Sequence, residues 1–151
     1  MVPECQQFLD SLCTLNGRLG KSVDGLDPDS LDWLPVDGAN SIAVIVTHAM
    51  GAERFLIAQL VGGTDIHRDR EAEFKTRQVN AAHLRAAIDQ ATRDAETVLS
   101  GITEDELGRQ RPYHDEARPV RWFILHAVEH VAEHLGQAEL TRQLLDARSR
   151  G

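Results

Sequence analysis

The chain has 151 residues, 42% of them hydrophobic and 26% charged, which fits one globular domain spanning 1–151. Its formal net charge of −8 argues against a nucleic-acid backbone or an anionic membrane as partner, because Lys and Arg are what hold both. Two cysteines, Cys5 and Cys13, rule out a secreted disulfide framework, and MVPECQQFLDSL lacks the basic segment and apolar core of a signal peptide. No apolar run is read as a membrane span, so the expected location is the cytoplasm.

The first helix is expected over Val2 to Val23. Pro3 suits its first turn, and Phe8, Leu12, Leu15 and Leu19 recur at helical spacing. Asp24 to Gly38 is turn-rich, with Trp33, Leu34 and Val36 expected to pin it to the core. Asn40 or Ser41 can cap a second helix over Ile42 to Val61, ended by Gly62 and Gly63. That helix is apolar almost all the way round, so it should be buried on more than one side. His48 lies in it among Ala49, Gly51 and Ala52, as either a satisfied core histidine or a ligand.

Thr64 to Gln78 is polar and reads as a surface connection with room for a short helical piece. A third helix begins at Asn80, with an apolar stripe of Leu84, Ala87, Ile88, Ala91, Ala95 and Val98. Thr103 to Glu106 has the pattern of a capping box. Gly108 to Pro119 reads as a loop, because its alternation is poor for a hairpin, and loops of that length are often lids. Pro119 opens the last helix, which runs to about Ala147, and the tail RSRG should fray. Four helical patterns without a credible strand give an all-α, four-helix bundle with long connections.

The last helix carries His126, His130 and His134 at successive spacings of four. Each step of four moves one turn up and about 40° round, so neighbours share a face. The outer two are roughly 12 Å apart along the axis, too far to close on one ion. One metal would use His126 with His130, or His130 with His134, plus a ligand from elsewhere. Burying several imidazoles is costly unless each finds a partner, and a metal would satisfy two at once.

Two stretches carry a family likeness: SIAVIVTHAMGAERF around His48 and EHVAEHLGQAELTRQLL in the last helix. Together they resemble the DinB-like (YfiT-like) superfamily of metal-dependent enzymes, from about Trp33 onward. That family is a four-helix bundle with three histidines around one divalent ion. Its last-helix pattern of two histidines four apart, then any residue and Gly-Gln, falls on His130, His134, Gly136 and Gln137. Its helix-two histidine falls on His48. The resemblance therefore implies His48, His130 and His134 as metal ligands, with His126 either supporting those ligands or the substrate, or a polar group one turn below the ion. Leu135 departs from the family, which often has a basic residue there.

Neutral imidazoles suit Zn, Ni or Fe as the divalent ion, and three ligands with an open position mark a catalytic site. The resemblance implies a thiol S-transferase or isomerase using a low-molecular-weight thiol such as bacillithiol or mycothiol. The alternatives are a metal-dependent hydrolase and a non-catalytic, metal-binding stress-response module. Glu53, Gln59 and Gln137 are the nearest candidates to orient water or a small-molecule substrate. Val128, Ala132 and Leu135, placed on the far side of the last helix, together with the apolar second helix, suggest a homodimer.

Overall fold

The computed structural model describes residues 1–150, and Gly151, the end of the tail, lies outside the described residues. Four long helices form the bundle: α1 (Pro3–Val23), α3 (Ile42–Arg54), α5 (Ala81–Gly101) and α7 (Val120–Arg148). Short elements fill the connections: α2 (Pro28–Leu31), α4 (Arg70–Glu73), α6 (Glu104–Gly108) and a hairpin of β1 (Gln110–Tyr113) and β2 (Glu116–Pro119). α1 packs on α5 and α7, and α3 packs on the same two. The first and third connections therefore cross a diagonal of the bundle, while the second joins neighbouring helices.

Helix starts follow side-chain chemistry. Ser41, Asn80 and Thr103 each accept a backbone N–H of the first turn, and Thr103 with Glu106 completes the capping box. α1 buries Leu9, Leu12 and Leu19; α5 buries Leu84, Ile88, Ala91, Ala95 and Leu99. α3 is buried on nearly every side from Ile42 to Met50, as its composition requires. Ile42–Val61 is long and apolar enough to cross a membrane, contrary to the reading above. Two thirds of its most apolar window is nevertheless buried inside the protein, as in a core helix.

Several expectations are corrected. The second helix changes character at Phe55, and Phe55–Val61 is π-helical. An all-round apolar segment has no stripe whose drift could reveal a change of period. Gly108–Pro119 contains the antiparallel hairpin, with Tyr113 paired to Glu116 across a His114–Asp115 turn. His114 takes a left-handed φ of 52°, without the Asn-Gly or Asp-Gly signature that marks such turns in a sequence. The first connection is pinned by Leu31, fully buried in α2, while Leu34 and Val36 are exposed. Leu135 is 2% exposed and belongs to the core, so only Val128 and Ala132 remain of the α7 surface that suggested a homodimer.

Candidate metal centre

α3 and α7 lie side by side, and their contact brings His48 to His130 and His134. One ligand atom from each of the three lies within 4.8 Å of the others. Ring centroids are 5.1 Å apart for His48 and His130, 4.9 Å for His48 and His134, and 4.4 Å for His130 and His134. Among the described residues no fourth His, Cys, Asp or Glu joins this group.

Two of the rings are fixed from behind. His48 is 7% exposed, and its Nδ1–H donates to Glu73 Oε2 at 2.8 Å. Glu73 is itself gripped by Arg68, through Nε to Oε1 at 2.7 Å and Nη2 to Oε2 at 2.9 Å. Burial alone would raise the Glu73 pKa, but the hydrogen bonds from His48 and Arg68 and the Arg68 charge lower it, so it is a carboxylate. His134 Nδ1–H donates to Gln137 Oε1 at 2.9 Å. Both rings thus leave Nε2 free for a ligand. A carboxylate or amide behind a metal-binding histidine sets its tautomer and orientation in just this way.

The third ring, His130, has a buried Nδ1 with no hydrogen-bond partner. Burial lowers its pKa to about 4, helped by His134, His48, His126 and Arg68. Burial also lowers that of His134, against the opposing effect of Gln137. Those two imidazoles are therefore uncharged at neutral pH. Converging imidazole nitrogens, beside a buried His130 Nδ1 that has no partner in the protein, form a donor set that fits a divalent transition ion.

A cavity of about 170 Å³ adjoins the triad, bounded by His48, His130, Phe55, Arg68, Arg70 and Tyr113. Its rim comes from the 64–78 connection and from the hairpin. His126 also lines it, one turn below His130 at 6.3 Å between ring centroids, and stacks on Trp122 at 4.8 Å. Phe123 is wholly in the core.

Two sequence candidates do not reach the site. Glu53 is 1% exposed and accepts from Asn16 Nδ2 at 3.2 Å, on the side of α3 that faces α1 and α5. Five residues of helix after His48 carry it well round the axis from the triad. Gln59 Oε1 accepts the Ile66 N–H at 3.4 Å and ties the end of the π-helical segment to the following connection. His67, His83 and His114 lie outside the triad, and all three are exposed.

Glu73 and Arg68 were missed, because they sit in a stretch that reads as a solvated connection. One sequence signal pointed to them. Gly51 stands inside a helix, where glycine costs roughly 1 kcal/mol relative to alanine. Its lack of a side chain admits Glu73: a Cβ there would stand 2.7 Å from Glu73 Cδ.

The mycothiol-S-transferase family model matches residues 7–147. No curated protein matches the chain by sequence. Solved structures of similar fold include a conserved protein from Enterococcus faecalis, at 14% identity and TM-score 0.77, covering 94% of this chain and 96% of that one. A DinB-like protein from Bacillus cereus superposes with TM-score 0.75 at 17% identity, over 91% and 90% of the two chains. A mycothiol-dependent maleylpyruvate isomerase follows at 12% identity and TM-score 0.64, covering 87% of this chain but 59% of its own length.

Proposed function

Because the chain belongs to the mycothiol-S-transferase family of the DinB-like superfamily, we propose that it is a metal-dependent thiol S-transferase. His48, His130 and His134 would hold one divalent ion, Zn, Ni or Fe. When bound, that ion supplies a Lewis acid that favours the thiolate form of a low-molecular-weight thiol at neutral pH. The observation that carries the reading is the convergence of the three imidazoles beside a cavity large enough for a small electrophile.

The chain's own residues have distinct tasks. Glu73 and Gln137 hold two of the rings at fixed orientation. Phe55 and Leu56 give the cavity an apolar wall that limits water. The nearest carboxylate, Glu73, has both oxygens engaged by His48 and Arg68, so it is not free to act as a general base. That favours thiol transfer over hydrolysis, which needs a proton acceptor for the attacking water. A non-catalytic module would have no use for the cavity.

The test is a matrix of thiols, including mycothiol and bacillithiol, against small electrophiles, with the metal-loaded protein. At least one pair should give a thioether product, and chelation should abolish it. His130→Ala should lose both metal and turnover while keeping its helix content by circular dichroism. If no pair gives a metal-dependent product, the proposal fails and hydrolysis of a small ester or amide takes its place.

A further inference from the structure

Arg68 and Arg70 both line the cavity, two residues apart, and their situations differ. The Arg68 guanidinium is committed inward: it forms a fork with Glu73 and lies 5.3 Å from the centre of the Phe55 ring. Arg70 is exposed, and among the described residues its guanidinium makes no ion pair and no hydrogen bond. It is not adrift, however. It lies 5.0 Å from the centre of the Phe74 ring, and Phe74 in turn sits 4.6 Å from the His48 ring. A cation–π contact therefore parks an unpaired positive charge at the edge of the triad.

The carboxylates near it are spoken for or turned away. Glu73 is matched by Arg68 and His48, and Asp69 accepts the Ala72 N–H at the start of α4. Glu129 lies 3.8 Å from His126 on the far wall. Glu71, next along α4, is exposed and does not line the cavity. Arg68 and Arg70 are the cationic side chains that line the cavity, and with Arg68 matched by Glu73 the Arg70 charge is the one left without a partner among the described residues. The opposite wall adds Tyr113 and His126, both able to donate a hydrogen bond.

We propose that Arg70 anchors a carboxylate on the electrophilic substrate, so that the reaction selects carboxylate-bearing electrophiles over neutral ones. This rests on the thiol-transfer reading for the identity of the site, but the binding step does not depend on it. A planar guanidinium with free N–H groups matches a carboxylate two-to-two, which a lysine cannot do. The small cavity fits a carboxylate on a compact molecule better than a bulky polyphosphate. Arg70 is a specificity-determining residue here, whereas Arg68 positions Glu73.

The experiment has a binding arm and a turnover arm. In the first, metal-free protein is titrated with succinate, and with its neutral dimethyl ester, by chemical-shift perturbation. Succinate should shift resonances around Arg70 and Phe74, and the ester should not. Arg70→Gln should weaken succinate binding about tenfold, the loss expected for one charge-assisted contact, and Arg70→Lys should weaken it less. Unchanged binding in Arg70→Gln, or no binding to the wild type, overturns the proposal. In the second arm, one thiol is paired with matched charged and neutral electrophiles. Arg70→Gln should raise KM for the charged electrophile alone, with metal content and thiol KM unchanged. A rise in the thiol's KM instead would assign the anion to the thiol and refute the proposal. If nothing turns over, thiol transfer has failed, while succinate binding still decides the role of Arg70.

Discussion

α3 holds two carboxylates against its opposite sides, and the bundle treats them in opposite ways. Glu73 reaches the His48 side from α4 and is 6% exposed; Glu53 belongs to α3 itself, faces α1 and α5, and is 1% exposed. Glu73 meets Arg68 twice and His48 once, and its pKa is lowered in spite of burial. Glu53 meets one neutral amide donor, Asn16, and leaves Oε2 without a partner. Burial pushes its pKa up to about 7, with Asp94 adding to the rise against the Asn16 hydrogen bond. Depth alone does not decide the state of a buried carboxyl; the number and charge of its donors do. On one side the result is a fixed anion that orients a candidate ligand, and on the other a proton held near neutrality.

The largest effect should come from cutting the fixed anion. Glu73→Ala leaves Arg68 without its acceptor and frees the His48 ring. Breaking a buried charge pair from one side costs on the order of 3–5 kcal/mol. Loss of the group behind a metal-binding histidine lowers metal affinity about 10–100-fold. Denaturant melts and competitive metal titration would measure the two. Unchanged metal affinity would show that Glu73 serves the fold alone.

The other carboxyl should show itself through pH. Glu53 has a folded pKa of about 7 against a reference of 4.5, so between those values the folded state holds the extra proton. Its contribution is fully present below 4.5 and is lost as pH rises through 7. A shift of that size corresponds to about 3 kcal/mol. Glu53→Gln keeps the shape and removes the titration. The stability difference between variant and wild type should therefore move in the variant's favour by about 3 kcal/mol from pH 4.5 to pH 8. Parallel stability profiles for the two proteins would refute the contrast with Glu73.

The two sides of α3 were not equally legible. Helix stripes, the Ser41, Asn80 and Thr103 caps and the spacing of the α7 histidines follow from local chemistry, so the bundle and the His-rich face could be read directly. Spacing left two pairings open, and a family pattern was needed to prefer His130 with His134; the structure groups those two with His48. Glu73 lies 25 residues from His48 in a polar stretch, and only tertiary approach makes it a partner. Glu53 looked like a site candidate because it is near His48 in sequence. The helix turns it away, and an α-helical wheel already places the two on different sides. The hairpin was hidden because its turn lacks the residues that usually mark one.

The smallest predicted effect tests the link between the helix and its visiting carboxylate. At Gly51 a methyl carbon would stand 2.7 Å from Glu73 Cδ and closer still to Oε1. Alanine in a helix interior should add roughly 1 kcal/mol through backbone propensity. Displacing Glu73 acts the other way, since Arg68 and His48 hold its end and it cannot simply swing aside. The clash outweighs the propensity gain, so Gly51→Ala should destabilise the fold by about 1–2 kcal/mol. Metal affinity has no such compensation, because propensity does not orient an imidazole. It should fall several-fold, toward the Glu73→Ala value. Combining Gly51→Ala with Glu73→Asp, which shortens the visiting side chain, should recover part of that loss if contact is the cause. A Gly51→Ala protein with wild-type metal affinity would mean that Glu73 adjusts freely, and the distinction between a fixed and an unfixed buried carboxylate would then collapse.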